Sequence, residues 1–596
     1  MDEAKVEKKE MTFIGIPASP GIAFGEAFVV NVEEQPVTEE RIAADRVEAE
    51  IDRFMAALAE TETELGNLHK ALEDEMGEEH GKILDTHRMI LADEIMRGDT
   101  IRAIRERRVT AAYALHLTLD KVLTTFASIK DEFLRERAAD IRDVRRRLLH
   151  NLLGQKIEGL SALRKKAIVV ARDLTPSDTA GIDKRYCLAF VTDSGGGTSH
   201  AAILARSAGI PAVVGLNDLS RHAKPYDQLI VDGITGTVIL NPTPESVDMY
   251  REVQARYREL DRELLTLRDY PAVTLDGHTI ELSANIEVPD EVDDALGHGA
   301  RGVGLFRTEY FFITRATLPS EEEQYRYYAS VVKRMPSDPV IIRTLDVGGD
   351  KIARWVGDIK EANPFMGWRG IRFTLARTDI FRTQLRAVFR AAAHGNVKVM
   401  FPMVSVLDEV RLAREICEEV KEDLKRERYQ IGETAEIGIM IETPAAVAIA
   451  DHLAREVDFF SIGTNDLVQY ALAVDRGNTK VSYLYDAMHP GILRLLRDTV
   501  AAARKHKIWV GVCGEMPSSI QGALVLLGLG LDEFSASPYL IPTIKKIVRS
   551  VTYDETRSLA RKALGMSTAR EVREHIERYI HDKRPELREF LPEAAS

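Results

Sequence analysis

Residues 437–466, IGIMIETPAAVAIADHLAREVDFFSIGTND, decide the fold prediction. The segment opens with the apolar run IGIMI and closes around FFSI, two runs typical of strands buried in a parallel sheet. A span of helical length separates them. Each run ends in polar residues: Glu442 follows the first, and Asn465 and Asp466 follow the second. A strand, a helix and a second strand in this order are the unit of a parallel α/β fold.

Six further strand-like runs flank this unit, separated by helix-sized intervals. They are TIELSANIE (279–287), GVGLFRTEY (302–310), VIIRTLDVG (340–348), VKVMFPMV (397–404), WVGVCGE (509–515) and DEFSASP (532–538). Eight such runs predict a (β/α)8 barrel of the TIM type. The chemistry of such barrels lies at the carboxyl ends of the strands, so the polar residues that end these runs are candidate site residues.

The chain before residue 278 has a different pattern. Short strand-like runs cover residues 11–31, broken by Pro and Gly, and strands return from about residue 166. Between them, residues 38–153 have helical periodicity. Helices are expected at 80–96, 98–126 and 130–152. We therefore predict a compact α/β domain with an inserted bundle of antiparallel helices.

A glycine-rich loop, DSGGGTSH at residues 193–200, follows a strand of this α/β domain. Its glycines let the backbone approach a ligand closely. Thr198 is a suitable N-cap for a helix that ends near Gly209, which places His200 in the first turn. Unpaired N–H groups of that turn favour an anion. His200 is therefore either a nucleophile at a phosphate-binding loop or a surface histidine beside a turn, and the loop alone leaves both open.

The ends of the barrel runs carry charged and polar side chains. The candidates are Arg307, Arg343, Glu442, Asn465, Asp466, Arg476 and Cys513. Arginine matches phosphate and carboxylate oxygens, carboxylates are ligands of Mg2+, and a thiol can exchange a proton with a substrate carbon. Together they imply a small, multiply anionic, metal-bound substrate. Taken singly, each Arg or Glu could form a surface salt bridge, and Cys513 could be a small buried hydrophobe.

Composition argues against several classes of protein. With a net charge of −14, the 596-residue chain is not expected to bind nucleic acid. Its three cysteines, Cys187, Cys417 and Cys513, form no CxxC pair, so we expect no disulfide framework, no structural zinc and a reducing cytoplasm. The charged N-terminus lacks the apolar segment of a signal peptide, and no run is apolar enough for membrane insertion.

Seven motifs occur in a characteristic order along the chain. They are GGGTSHAAILAR, GLFRTEY, RTLDVGGDK, MIETPAA, SIGTNDLVQY, DRGN and VCGEM. In combination they resemble enzyme I of the bacterial phosphotransferase system, the family of phosphoenolpyruvate–protein phosphotransferases. The resemblance runs from about residue 12 to about residue 575 and includes ASPGIAFGEA near the start.

The resemblance implies a domain organisation. Residues 11–37 and 154–243 would form a swivelling phosphohistidine α/β domain, and residues 38–153 an inserted helical domain that binds the carrier protein HPr. Residues 244–270, where the sequence predicts one long charged helix, would link this part to the barrel. Residues 271–580 would form the phosphoenolpyruvate-binding (β/α)8 barrel, through which the family forms homodimers.

The resemblance also implies a mechanism. Phosphoenolpyruvate would bind at the barrel, with Mg2+ held by Glu442 and Asp466. The substrate-binding positions of the family match Arg307, Arg343, Asn465, Asp466 and Arg476. His200 matches the histidine that is phosphorylated and then passes the group to HPr. Cys513 matches the donor of the proton that the departing enolate takes up.

Three alternatives share some of these motifs. A nitrogen-related paralogue would feed a regulatory carrier, but it usually has an N-terminal sensory domain, which MDEAKVEKKE is not expected to form. Pyruvate phosphate dikinase and phosphoenolpyruvate synthase need an ATP-binding domain ahead of the histidine domain, where this chain is largely helical and has no Gly-rich nucleotide loop. An inactive scaffold would not require His200, Cys513 and both metal carboxylates.

Overall fold

The structure is a computed structural model with two compact units, Met1–Glu259 and Leu260–Ser596. The described residues are 9–30, 37–76, 85–128, 132–154, 163–174, 185–195, 201–202, 205, 209–313, 315, 317–348, 361, 363–432, 434–476, 478 and 480–590. Thr198 and His200, for which an N-cap and a first-turn histidine are predicted, lie outside them. None of the helices within the described ranges is long and apolar enough to cross a membrane.

The first unit contains a mixed sheet. Its strands are β1 (Met11–Ile14), β2 (Ile16–Ser19), β3 (Ile22–Val30), β4 (Ala167–Ala171), β5 (Cys187–Thr192), β6 (Ala212–Val214), β7 (Gln228–Asp232) and β8 (Thr237–Leu240). The spatial order is β1-β8-β7-β3-β4-β5-β6-β2, and the pairs from β3 to β6 are parallel. In β4, Val169 packs into one apolar cluster and Val170 into another. Both faces of this strand are covered, which explains its continuous apolar sequence.

A helical bundle interrupts the sheet between β3 and β4. Its helices are α1 (Val47–Met76), α2 (Asp85–Ala92), α3 (Glu94–Arg107), α4 (Ala111–Ser128) and α5 (Glu132–Leu153). Their apolar faces, including Phe54 and Leu148, form a core of their own. The prediction of a single helix at 98–126 is wrong. Arg108 takes a left-handed conformation with φ of 52°, which ends α3 before α4 begins.

Two further helices lie in the described residues after β6. They are α6 (Leu219–His222) and α7 (Pro244–Leu265). The second is the long charged helix expected at this point of the sequence. It starts with Pro244, whose missing N–H leaves no hydrogen bond unmade in a first turn.

The second unit is a closed barrel of eight parallel strands, which confirms the predicted fold class. The strands are β9 (Glu281–Ile286), β10 (Val303–Phe306), β11 (Val340–Arg343), β12 (Val397–Phe401), β13 (Glu436–Ile441), β14 (Phe459–Ile462), β15 (Trp509–Val512) and β16 (Glu533–Ala536). Each strand pairs with the next, and β16 closes the barrel on β9. Side chains alternate between two cores: Ile439 packs outward, whereas Met440 joins the interior.

Helices between the barrel strands, and three helices after the last strand, form the outer layer. They are α8 (Glu291–Gly297), α9 (Glu309–Ile313), α10 (Glu321–Arg334), α11 (Ile371–Ala376), α12 (Thr378–Ala391), α13 (Leu407–Arg426), α14 (Pro444–Ala448), α15 (Ala450–Leu453), α16 (Thr464–Leu472), α17 (Pro490–His506), α18 (Ile520–Leu529), α19 (Ile541–Arg549), α20 (Tyr553–Ala563) and α21 (Ala569–Lys583). Several begin with a capping box, such as Ser320 and Glu323 at α10. These caps satisfy N–H groups that the first turn leaves free.

The amino-terminal end of the barrel is filled by an aromatic and charged cluster. Phe459 and Trp509, the first residues of β14 and β15, stack with ring centroids 4.5 Å apart. The Lys398 ammonium lies 4.6 Å from the Trp509 ring centroid and donates to Glu436 Oε2 at 2.6 Å. The site residues predicted for the barrel belong to the opposite end, where the strands finish.

Candidate active site

The carboxyl ends of five barrel strands carry predicted site residues, and we call this end of the barrel the rim. Arg343 is the last residue of β11, and Arg307 follows β10 directly. Glu442 follows β13, and Cys513 follows β15. Asp466 lies in the first turn of α16, just after β14. Because parallel strands end on the same side, the topology brings these residues to one mouth.

Arg343 is a buried cation held on two sides. Its Nη2 lies 3.1 Å from Glu309 Oε2, and its Nη1 lies 3.2 Å from Asp346 Oδ2. Burial opposes the charged form, but Glu309, Asp346 and Glu442 outweigh it and raise the pKa of Arg343. The guanidinium is thus a permanent positive charge of fixed orientation. Its buried Nε has no hydrogen-bond partner among the described residues.

Arg369 extends this network, and the sequence analysis missed it. Its Nε and Nη2 donate to the two carboxylate oxygens of Asp346 at 3.1 and 2.8 Å. The same Nη2 lies 3.3 Å from Asp466 Oδ2. Arg369 lies two residues before α11, in a stretch without a strand pattern, and no local signal marked it. Asp346 belongs to the motif RTLDVGGDK and Glu309 to GLFRTEY. Only the fold shows that their carboxylates pair with arginines.

Glu442 and Asp466 form a pair of neighbouring carboxylates. Glu442 is buried, and its Oε1 accepts the Met403 N–H at 2.5 Å. Burial raises the pKa of Glu442 to about 8, and the charges of Asp466 and Asp346 add to the rise. Asp466 Oδ2 faces Arg369, whereas its Oδ1 is buried and lacks a hydrogen-bond partner among the residues described. Added positive charge would stabilise both ionised groups.

This pair fits a Mg2+ site. Mg2+ is commonly held by one or two carboxylates, with water and substrate phosphate completing its ligands. A cation bound here would give the buried Oδ1 of Asp466 a partner. It would also offset the repulsion that disfavours the ionised form of Glu442. Within the described ranges, no group of three or more His, Cys, Asp or Glu side chains is arranged to hold a metal.

The other residues predicted to bind the substrate lie on the exposed side of the rim. Asn465 exchanges two hydrogen bonds with Glu515: its Nδ2 donates to Oε1 at 3.2 Å, and its Oδ1 accepts the backbone N–H at 2.9 Å. Arg307 donates to Glu287 Oε1 at 2.7 Å, and a third of its side chain is exposed. Arg476 lies on the exposed loop after α16, outside the buried network. The structure therefore brings Arg476 to the neighbourhood of the rim but not into its packed centre.

Cys513 is a buried thiol inside the mouth of the barrel. Only 2% of the residue is exposed. Its thiol donates a weak hydrogen bond to the Ile462 carbonyl oxygen, with Sγ and the oxygen 3.8 Å apart. Burial raises the pKa of Cys513 to about 12, although Ser461 and Arg343 favour the thiolate. The thiol therefore keeps its proton at neutral pH. It is suited to give that proton to a strongly basic carbon rather than to act as a nucleophile.

The glycine-rich loop is anchored where it leaves β5. Asp193 accepts hydrogen bonds from the Ser220 backbone N–H, at 3.1 and 3.2 Å, and from its hydroxyl. Gly195 has a φ of 104°, a conformation that favours glycine. Residues 201–202 are helical and buried, as expected for the helix after the loop. The position of His200 remains a prediction, because it lies outside the described residues.

Three family models match the chain, and each describes part of a phosphoenolpyruvate-utilising enzyme. The N-terminal model matches residues 14–137, the mobile-domain model residues 163–236, and the phosphoenolpyruvate-binding model residues 261–553. The last span includes every strand of the barrel. Fold and rim thus define the class as that of the phosphoenolpyruvate-utilising enzymes.

Relatives that match along nearly the whole chain narrow this class. A phosphoenolpyruvate-protein phosphotransferase of Haemophilus influenzae is 43% identical over 566 residues, 95% of this chain and 98% of that protein. One of Geobacillus stearothermophilus is 44% identical over 570 residues, 96% of this chain and 98% of that protein. An NMR solution structure of an Enzyme I protein is 41% identical and covers 41% of this chain and 99% of its own, with a TM-score of 0.36. The chain belongs to the family of phosphoenolpyruvate-protein phosphotransferases.

Proposed function

We propose that this protein transfers the phosphoryl group of phosphoenolpyruvate to His200 and then to a histidine of an HPr-type carrier protein. One observation carries the proposal: a protonated, buried thiol lies at the same rim as two buried arginines and a pair of carboxylates. An enol phosphate that also bears a carboxylate needs cations for its oxygens and a proton for its carbon. Membership of the family supports the same activity.

In the proposed step, a ring nitrogen of His200 forms a bond to phosphorus while the bond from phosphorus to the enol oxygen breaks. The enol oxygen keeps the electron pair. Cys513 gives its proton to the methylene carbon, and pyruvate leaves. Arg343 and Arg307 would bind the substrate's oxygens, because an arginine fork matches phosphate and carboxylate geometry. Arg369 would keep the aspartates of the network in place.

Glu442 and Asp466 would hold Mg2+, the cofactor that we propose. When bound, the ion supplies positive charge against the phosphoryl oxygens. Asn465 and Arg476, on the exposed side of the rim, would then contact the substrate from the other side. For Asn465 this requires that its two hydrogen bonds with Glu515 open or rearrange.

We also propose that residues 38–153, which contain α1 to α5, bind the carrier protein. The bundle has its own apolar core, so it can present a surface without disturbing the sheet. It exposes large apolar side chains, among them Met55, Met89 and Ile95. Exposed groups of this kind are typical of surfaces that bind another protein.

The remaining domain boundaries belong to the same proposal. Residues 11–37 and 154–243 would carry His200, residues 244–270 would link them to the barrel, and residues 271–580 would bind phosphoenolpyruvate. The division of the chain into two compact units at Glu259, inside the proposed linker, supports this arrangement.

A homodimer through the barrel domain is the last element of the proposal. The barrel unit exposes the apolar side chains of Phe365, Met366, Tyr483 and Leu484, which suit an interface between copies. Sedimentation of the full chain over a range of concentrations tests it. A species that stays monomeric at every concentration would contradict a dimer.

The central experiment is labelling of the purified protein by radiolabelled phosphoenolpyruvate with Mg2+ and without ATP. Wild-type protein should take up label, release pyruvate and pass the label to an HPr-type carrier. His200→Ala should fold like the wild type and stay unlabelled. Label that persists in this variant would overturn the proposal. So would a strict need for ATP, as in phosphoenolpyruvate synthase or pyruvate phosphate dikinase.

We propose that this transfer is the first step of the sugar phosphotransferase system. Transfer to a paralogous regulatory carrier, as in nitrogen-type enzymes, is the alternative, because both routes use the same chemistry at His200. Competition between HPr-like proteins of the organism for the label separates them. Preference for the regulatory carrier would favour the alternative.

A further inference from the structure

Glu533 is a buried acid that the proposed mechanism does not use. It is the first residue of β16, and its carboxyl group lies inside the barrel beside two glycines. A Cβ atom on Gly304 would lie 2.1 Å from Glu533 Oε1, and one on Gly511 would lie 2.1 Å from Oε2. The carboxyl group thus occupies space that any other residue at these two positions would fill.

Only 5% of Glu533 is exposed, and within the described residues its carboxyl group has no hydrogen-bond partner other than the Ser283 side chain, which favours the ionised form. A buried carboxyl group with so few partners destabilises a fold. An apolar residue of similar size would avoid this loss. The position therefore points to a role other than packing.

The strand register places Glu533 close to Cys513. Glu533 pairs with Gly511 across β15 and β16. Gly511 lies two residues before Cys513, so the two face the same side of the strand, about 7 Å apart along it. Ser461 pairs with Gly511 from the other neighbour, β14. Its hydroxyl is buried and interacts with the Cys513 thiol, whose ionised form it favours.

The electrostatics of these groups are coupled. Ser461 favours the thiolate of Cys513, whereas the charge of Glu533 disfavours it and helps to raise the pKa of Cys513. Burial raises the pKa of Glu533 itself to about 7, although Ser283 and Lys398 favour its carboxylate. A group with this pKa can both give and take a proton at neutral pH.

We propose that Glu533 restores the Cys513 thiol after each turnover, by passing a proton through the barrel interior by way of the Ser461 hydroxyl and water. The inference rests on the proposed function, in which Cys513 loses its proton to the enolate carbon. The O–H bond of Glu533 then breaks and an S–H bond forms on Cys513. The carboxylate that remains takes a proton from solvent before the next turnover. Glu533 never touches substrate, so it is a positioning residue for the proton.

Other charged groups bear on this transfer. Lys398 and Glu281 act on Glu533 from β12 and β9, with opposite effects on its pKa. Arg343 and Glu442 act on Cys513 from β11 and from the end of β13, again with opposite effects. Because each group faces one cation and one further acid, Glu533 and Cys513 are left to exchange a proton without a dominant external charge.

The test follows two exchanges at once in the full-length protein. Enzyme, Mg2+, phosphoenolpyruvate and carbon-labelled pyruvate are incubated in heavy water. Movement of carbon label into phosphoenolpyruvate reports phosphoryl transfer in both directions. Deuterium in the pyruvate methyl group, corrected for the enzyme-free rate, reports how often the Cys513 proton is replaced from solvent.

In Glu533→Gln, we expect carbon exchange to stay within about twofold of wild type, while deuterium uptake per carbon exchange falls about tenfold or more. Ser461→Ala should shift the same ratio and provides a second variant if Glu533→Gln does not fold. Glu555→Gln is the control. Its carboxylate lies on α20, outside the barrel, bound to Thr552 and Arg584, and the ratio should be unchanged.

Several results would overturn the inference. An unchanged ratio in Glu533→Gln would mean that solvent reaches Cys513 directly. A parallel fall in both exchanges would mean that Glu533 is structural. If the wild type shows no carbon exchange at all, the proposed function itself fails, which is a separate result.

Discussion

The two sides of the rim differ in how their arginines are held. Arg343 and Arg369 are buried and pair with Glu309, Asp346 and Asp466 at distances of 2.8 to 3.3 Å. Arg307 and Arg476, on the exposed side, have one acidic partner or lie on a loop. The buried side is ordered before any substrate arrives.

This difference suggests that one side of the rim stabilises the transferring group and the other binds the substrate. Preorganised charges in a buried setting stabilise a developing charge strongly, because they need no reorganisation during the reaction. Exposed groups are screened by water and contribute more to capture and orientation. The buried side should therefore control the rate of transfer, and the exposed side the affinity for the substrate.

The largest effect is expected from Arg343→Ala. The substitution leaves Glu309 without its arginine partner and leaves Asp346 with Arg369 alone, so the free energy of unfolding should fall by about 3–5 kcal/mol. The rate of phosphoryl transfer should fall about 100- to 1000-fold. Urea unfolding and rapid-quench labelling measure the two. Arg343→Lys, which keeps the charge but loses the fork, should be intermediate. Wild-type stability in Arg343→Ala would show that the buried network is not structural.

Cys513→Ala should come next. Turnover should fall about 100-fold or more, because the enolate carbon loses its proton donor. The KM for phosphoenolpyruvate should change less than about threefold, since the thiol contributes little to ground-state binding. Cys417→Ala, which removes a buried thiol from α13, is the control and should keep its turnover. Equal losses of turnover in the two variants would contradict the role of Cys513 as the proton donor.

Arg476→Ala tests the exposed side. Loss of one charge-assisted contact to the substrate should raise the KM about 10- to 100-fold. The free energy of unfolding should stay within about 0.5 kcal/mol of wild type, because the side chain is exposed. Steady-state kinetics and urea unfolding measure both. A stability loss like that of Arg343→Ala would erase the contrast between the two sides.

The smallest effect is expected from alkylation. Burial raises the pKa values of Cys187, Cys417 and Cys513 to about 12, so little thiolate is present at pH 8. Iodoacetamide should therefore modify none of them before the protein unfolds, as mass spectrometry would show. Rapid modification of Cys513 in the folded protein would mean that the mouth of the barrel is open to solvent.

The sequence allowed prediction of the barrel and of the residues that end its strands. Glu442 and Cys513 could be found because a buried parallel strand is apolar along its length, so a polar residue at its end is conspicuous. Arg369 could not be found, because its ion pair with Asp466 joins residues 97 positions apart. Within DEFSASP, Glu533 gave no sign that it faces inward. Its place depends on glycines of two other strands.

Closure of the barrel joins its first and last strands, and Asn285 and Ser535, which bond across this seam, are 250 positions apart. Forming a contact between segments so distant in sequence costs loop-closure entropy, so we expect this contact to form late in folding. Glu533 enters the interior only with the last strand. A nascent chain released before this point would hold the arginines and the thiol but would lack the closed barrel. The proposed active site is therefore complete only after the last strand of the barrel has been synthesised.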